Sequence, residues 1–212
     1  MKKHSTSILL LWLGMTALGL SSVLQTPTFE NPVNVAPRAS ITASSVYEDD
    51  YRFQANRVAD GSIADNYGAP GNYWLAKGVN DSMPGILPAW LRFDLSSVYE
   101  ISSVSVLNTL NQQYVDSGTK DFNIQLSLDG TNYSSPIFSG RLDWQNDTFQ
   151  NFYFPSILSA RYVQFNLTSA YVNVRDAQRV GLNEVKIIAV PEPSSLFLLG
   201  FCGVVMALRR RR

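Results

Sequence analysis

The chain has one histidine, His4, and one cysteine, Cys202, and both lie in its terminal segments. Nothing between them offers an imidazole or a thiol. That excludes a Ser-His-Asp or Cys-His nucleophile system, a zinc site built on His or Cys, and any disulfide. A metal held by the middle of this chain must take oxygen ligands, which means calcium or magnesium chemistry. The acidic cluster around Asp60, beside Gly61, is the best candidate. A carboxylate and the carbonyls of a tight glycine-containing loop together supply oxygens in the number calcium needs. The remaining chemistry open to such a chain is that of paired carboxylates, which cleave glycosidic bonds without histidine.

A second set of residues suits recognition rather than reaction. Tyrosines and arginines gather in turn-rich stretches: 47–51, 67–73, 112–116 and 171–179. An aromatic face offers apolar area and a polar tip at low entropy cost, which fits a sugar ring. The candidate contacts are Tyr47, Tyr73, Gln113, Tyr114, Trp144, Tyr171 and Arg175. Trp74 and Trp90 are expected in the core. Lys2, Lys3 and the four terminal arginines supply six of 17 basic residues, so the middle is acidic, by about −6. Nucleic acid is therefore not an expected partner, because no basic patch is available for phosphates.

The elements that must position these residues read as strands. Over residues 33–189 the apolar pattern has period two. Leu91, Phe93 and Leu95 alternate with Arg92 and Asp94, and Val104 and Val106 with Ser103 and Ser105. Phe122, Ile124, Leu126 and Leu128 run into the turn Asp129-Gly130. Val163, Phe165 and Leu167 follow, then Val185 and Ile187. Many short antiparallel strands in one chain of this length predict an all-β sandwich or jelly roll. Residues 1–22 read as a secretory signal peptide: Lys2 and Lys3, then an apolar run over 8–20 that is short of the about 20 residues a bilayer span needs, then Ser21 and Ser22.

Residues 190–212 are a second address. Val190-Pro191-Glu192-Pro193 precedes an uncharged apolar run and four arginines. The prolines end the preceding strand, and the arginines hold the cytoplasmic side of a membrane-inserted helix. This order resembles the PEP-CTERM sorting signal. The resemblance implies a Gram-negative bacterium, transient membrane insertion, processing by an exosortase-type peptidase, and release to the cell surface or extracellular matrix.

Between the two ends, seven short motifs follow in order: Ile41-Thr42-Ala43-Ser44-Ser45, Ala59-Asp60-Gly61, Tyr73-Trp74-Leu75-Ala76, Trp90-Leu91-Arg92-Phe93-Asp94-Leu95, the hairpin Phe122 to Gly130, Arg161-Tyr162-Val163, and Gly181-Leu182-Asn183-Glu184-Val185. Together they resemble a discoidin, or coagulation factor 5/8 type C, domain. The resemblance implies an eight-stranded antiparallel jelly roll of galactose-binding-like topology. It also implies a non-catalytic module that binds sugars, lipid head groups or proteins through loops at one end. The calcium ligands implied for this chain are Asp60, the carbonyls of Arg57 and Ser62, Asp65, and Glu184 with the Asn183 carbonyl, in a structural role. Two features depart from the family pattern. Asp65 stands where a threonine is usual, and Trp74 arrives seven residues late, so a loop insertion lies beside the site. The structural alternative is an Asx-turn at Asp60 and a pairing of Glu184 with an arginine such as Arg57.

The functional expectation is a secreted binding module for carbohydrate, in particular exopolysaccharide or surface glycan, acting at the cell surface or in a biofilm matrix. Two rivals stand beside it: an adhesive surface protein that grips another protein through the same loops, and a small carboxylate-dependent glycosidase.

Overall fold

The structure is a computed structural model. It describes residues 31–47, 51–63, 73–77, 87–109, 118–144, 146–171 and 179–191. The signal segment and, beyond Pro191, the sorting segment with its expected C-terminal helix lie outside the described residues.

Eight strands are described: β1 Val33–Asn34, β2 Ser40–Ala43, β3 Trp74–Leu75, β4 Ala89–Asn108, β5 Asp121–Ser127, β6 Phe138–Arg141, β7 Gln150–Leu167 and β8 Gly181–Val190. All pairings are antiparallel. The order is β1-β8-β4-β7-β5-β6, with β2 also on β4 and β3 also on β8. β4 and β7 are long because each runs through both layers of a sandwich. Their first pairing block joins Ala89–Asp94 to Tyr162–Leu167. Register shifts follow between Asp94 and Tyr99 and again between Ile101 and Ser103. Ser96, at a φ of 67°, lies within the first irregularity. Beyond it, β4 continues against β8, from Glu100↔Val190 to Asn108↔Leu182. One layer is thus β2, the first half of β4, the second half of β7, β5 and β6. The other is β1, β8, β3 and the remaining halves.

The predicted alternation is observed in the first half of β4, in β5 and in the second half of β7, whereas Ser103 and Ser105, expected to face water, are buried, because this half of β4 lies between β7 and β8 and Ser105 bonds Asn151 across the ladder. Leu91, Phe93, Leu95, Val163, Phe165, Leu167, Phe122 and Ile124 point into the space between the layers and meet Val104, Val106, Val185 and Ile187 from the opposite side. Phe122 is the centre of an aromatic cluster: ring centroids lie 5.1 Å from Phe152, 6.1 Å from Phe138 and 6.2 Å from Phe165. Trp74 is fully buried and donates from Nε1 to the Ser45 carbonyl at 3.0 Å. Two further expectations fail. Trp90 is half-buried on the outer face, because it shares its strand phase with Arg92 and Asp94 rather than with Leu91. Leu128, expected to continue the inward face of β5, is exposed, because β5 ends at Ser127 and the chain turns there.

One end of the sandwich collects the loops. There β4 ends at Asn108, β5 starts at Asp121, β7 ends at Leu167 and β8 starts at Gly181. Asn108, fully buried, ties these connections together. Its Nδ2 donates to the carbonyls of Thr119 (2.8 Å) and Asp143 (3.1 Å), and its Oδ1 accepts from the backbone N–H groups of Thr109 and Thr119. Thr119 Oγ1 in turn donates to the Gly181 carbonyl at 2.8 Å. Both donors and both lone pairs of the amide are used, so the knot is saturated.

Candidate functional site

The loop end carries two aromatic groups. In the first, Trp144 and Tyr171 stack with centroids 5.7 Å apart and planes 18° from parallel. The Tyr171 hydroxyl donates to the Leu142 carbonyl at 2.8 Å, which fixes the ring. Tyr171 is also tied through its backbone, its N–H donating to the Gly118 carbonyl at 2.9 Å. Lys120 Nζ lies 6.0 Å from the Tyr171 centroid. Trp144 keeps 40% of its surface exposed. The pair is a rigid, half-open aromatic platform, oriented by the Asn108 knot through the neighbouring Asp143 carbonyl.

In the second group, Phe53 lies between Tyr47 (5.5 Å, edge-on) and Tyr73 (5.2 Å, tilted). The Arg179 guanidinium sits over the Tyr47 ring at 4.6 Å. Arg179 also links the two groups, because its carbonyl accepts from the Gly118 N–H at 3.2 Å. Tyr73 is 8% exposed and packs with Leu75, so it supports this group from beneath rather than facing solvent. Of the seven sequence-predicted contacts, then, Tyr47, Trp144 and Tyr171 are at least partly open, and Tyr73 is buried. Gln113, Tyr114 and Arg175 lie outside the described residues. Asn108, Phe53 and Arg179 were not singled out by residue type. An asparagine at a strand end carries no sequence mark of being buried.

The predicted calcium residues converge in part. A 3₁₀ turn over Ala55–Ala59 ends at Asp60. Gly61 then adopts a φ of +79°, a left-handed conformation natural to glycine. Asp60 Oδ1 accepts from the Ser62 N–H at 2.8 Å, an Asx-turn, and its Oδ2 lies 3.6 Å from Arg57 Nη1. Glu184, 123 residues away along the chain, reaches the same loop: its Oε1 accepts from the Gly61 N–H at 3.2 Å. So Arg57 pairs with Asp60 and not with Glu184. Glu184 is 3% exposed, and its Oε2 is buried without a hydrogen-bond partner. Burial, with the Asp60 charge adding to it, raises its pKa to about 7, against the opposing pull of the Gly61 N–H and Lys186. Asn183 is fully buried beside it, and Asp65 lies outside the described residues.

These residues fit a hard divalent cation. An orphaned, buried carboxylate oxygen beside a second carboxylate is costly on its own and is the donor type calcium takes. Among the described residues no three acidic side chains cluster, so backbone carbonyls or Asp65 must complete any such shell.

Comparison with known proteins adds three findings. The F5/8 type C domain model matches residues 40–181, and the PEP-CTERM protein-sorting motif matches residues 189–212. No curated protein sequence matches the chain. Solved structures match at low identity. A Clostridium perfringens module in complex with GalNAc-β-1,3-galactose is 19% identical, with a TM-score of 0.56, covering 73% of this chain and 99% of that one. The family 32 module of Clostridium perfringens NanJ, in complex with galactose, is 15% identical, with a TM-score of 0.55, over 74% and 98%. The C-terminal domain of a Bacteroides fragilis chitobiase is 16% identical, with a TM-score of 0.58, over 76% and 100%. These likenesses bear out the fold.

Proposed function

The chain belongs to the F5/8 type C domain family, and from that premise we propose that it is an exported, non-enzymatic module that binds carbohydrate through its loop end. The observation that carries this reading is the Trp144–Tyr171 platform. It is exposed on one side, locked by a hydrogen bond on the other, and placed where loops from both layers meet. Tyr47 beneath the Arg179 guanidinium forms a second aromatic contact at the same end. Stacking a pyranose on such a ring gains apolar contact while leaving its hydroxyls to polar loop groups. The sorting motif at residues 189–212 supports export, removal of the tail by an exosortase-type peptidase, and action at the cell surface or in its polysaccharide matrix.

The glycosidase rival has a weaker basis. Asp60 and Glu184 are a carboxylate pair brought together among the described residues. Asp60 is engaged by Ser62 and Arg57, while Glu184 is buried with one oxygen held by Gly61. A general acid must reach the glycosidic oxygen, and a side chain sealed beneath a loop does not.

The same loop is proposed to hold one structural calcium ion through Asp60, Glu184 and backbone oxygens near Arg57, Ser62 and Asn183. The ion would supply the positive charge that the buried Glu184 carboxylate lacks. Its expected effect is a rise in melting temperature with calcium and a fall with chelator. For the sugar reading, the test is a glycan array probed with the protein and with Trp144→Ala. Selective glycan retention that the substitution weakens supports the proposal. An array with no retained glycan, or retention that Trp144→Ala leaves intact, overturns the loop-end assignment.

A further inference from the structure

The outer face of the β2-β4-β7-β5 layer carries an ordered array of amide and aromatic side chains. Three rows of side chains cross it at the strand spacing of about 4.8 Å. The row nearest the loop end is Trp90, Asn166 and Asn123, and the next is Arg92, Gln164 and Gln125, each set opposite one another in register. The third contains Asp94 and Tyr162. The amides are coupled into one chain. Arg92 donates from Nε (3.2 Å) and Nη2 (3.0 Å) to Gln164 Oε1. Gln164 Nε2 donates to Asn166 Oδ1 at 2.8 Å, and Asn166 Nδ2 donates to both Asn123 Oδ1 and Gln125 Oε1.

The aromatic part is ordered with equal care. The Arg92 guanidinium carbon lies 5.0 Å from the centroid of Trp90 and 5.0 Å from that of Tyr133. Tyr133 comes from the turn after β5. Gly130 in that turn, at a φ of +77°, is pressed against the Tyr162 ring, where an added Cβ would sit 2.9 Å from a ring carbon. The turn is therefore pinned as a wall along the face. The Tyr133 hydroxyl is buried and has no hydrogen-bond partner.

We propose that this face is a second carbohydrate-binding surface, distinct from the loop end, for an extended uncharged polysaccharide lying across β4, β7 and β5. The inference rests on the carbohydrate reading of the loop end and extends it to a polymer. Three observations favour an uncharged chain. The face's carboxylates are already engaged: Asp94 by Arg161 through two bonds of 2.8 and 3.0 Å, and Asp121, in phase with Asn123 and Gln125, by Arg141 at 2.8 Å. The cation at its centre, Arg92, is stacked between rings and bonded to an amide. The middle of the chain carries excess acid, which repels a polyanion. Amides that read hydroxyls in both directions and an indole for a pyranose face are what remains. The row of Trp90, Asn166 and Asn123 adjoins the end where Ala89, Leu167 and Asp121 lead into the loops. A polymer gripped at both places gains by linkage of two sites, which a monosaccharide does not.

The test is affinity electrophoresis of the full-length protein in gels containing galactan, mannan or mixed-linkage glucan, with an alginate gel as the polyanion. The proteins compared are wild type, Trp90→Ala, Asn123→Ala and Trp144→Ala, each checked for an unchanged melting transition. Asn123→Ala removes one acceptor at the margin of the ladder, so it guards against misfolding of the tryptophan variant. The expected result is retardation of wild type in at least one neutral gel. Trp90→Ala and Asn123→Ala should each weaken it about fivefold, the size of one lost contact, while leaving monosaccharide competition at the Trp144 platform unchanged. If both variants migrate like wild type while Trp144→Ala loses retardation, the sheet-face site is refuted and the loop-end reading stands. Retardation in alginate alone refutes the uncharged ligand. A wild type that no gel slows refutes both readings together.

Discussion

Replacing Glu184 with Gln should stabilise the metal-free protein at alkaline pH and remove its response to calcium. The magnitude follows from the burial of this one carboxyl. Its pKa rises from 4.5 to about 7, first because burial disfavours the charge and then because Asp60 is near. The folded state therefore holds the proton more tightly than the unfolded state between pH 4.5 and about 7. Stability must fall as pH rises through that window, and the full penalty is present above about 7. At about 1.4 kcal/mol per pH unit, the penalty is about 3 kcal/mol. Glutamine removes the charge and keeps an oxygen for the Gly61 N–H, but its NH₂ meets the site where Oε2 has no partner. An unsatisfied buried amide costs about 1–2 kcal/mol, so the net gain at pH 8 should be about 1–2 kcal/mol. The assay is urea unfolding in chelator at pH 4.5 and pH 8, repeated in millimolar calcium. Wild type should lose stability between the two pH values and recover it with calcium. The variant should be flatter with pH and indifferent to calcium. A wild type that is flat in chelator would show that Glu184 is not the strained group inferred here. Calcium stabilisation that persists in the variant would remove Glu184 from the ligand set.

Four further outcomes are expected. Asn108→Ala leaves the Thr119 and Asp143 carbonyls and two backbone N–H groups unpaired, and should cost about 3 kcal/mol by urea unfolding while weakening any glycan binding at Trp144. Phe165→Ala, at the contact of the Phe93 and Phe122 rings, should cost about 3–5 kcal/mol by the same measurement, with no change in calcium response. At the acid end, Arg161 holds the Asp94 carboxyl below its usual range, and Ser169 with Arg141 does the same for Asp121. Folded pKa values below the unfolded ones mean stability that is present above pH 3.8 and lost as pH falls through the lowered values, so Arg161→Gln should make the acid limb of a pH–stability curve shallower. Gly61→Ala places a side chain at a φ of +79° and should lower the melting temperature and the calcium response together, since the loop that presents its N–H to Glu184 is strained.

Much of the sandwich was legible because alternation fixes which face of a strand is buried, and Leu91, Phe93, Val163 and Phe165 obey it. Trp90, expected in the core, lies outside, and its phase with Arg92 and Asp94 in the sequence already marks the outer face. The passage of β4 and β7 through both layers was not legible. Leu91–Leu95 and Val104–Val106 read as separate runs, and only the register shifts reveal one bent strand. Asp60 and Glu184 were placed together by family resemblance, not by spacing, since 123 residues separate the loop from the strand that meets it. The same distance hid the true partner of Arg57, which is the carboxylate three residues on rather than the one across the fold. Asn108 and Thr119 look like any polar residues at a strand end. Their burial depends on loops that fold over them from three directions, which no local pattern encodes. The outer-face amides alternate with apolar residues along β5 and β7, but their linkage into one ladder is a property of cross-strand register.

The most direct measurement is a backbone and side-chain NMR titration of the protein with a glycan retained on an array. Shifts centred on Trp144, Tyr171 and Tyr47, with the glycan recovered unaltered, are the outcome expected of a sugar-gripping loop end. Shifts that cluster elsewhere and spare those rings, or a glycan recovered in pieces, would contradict it.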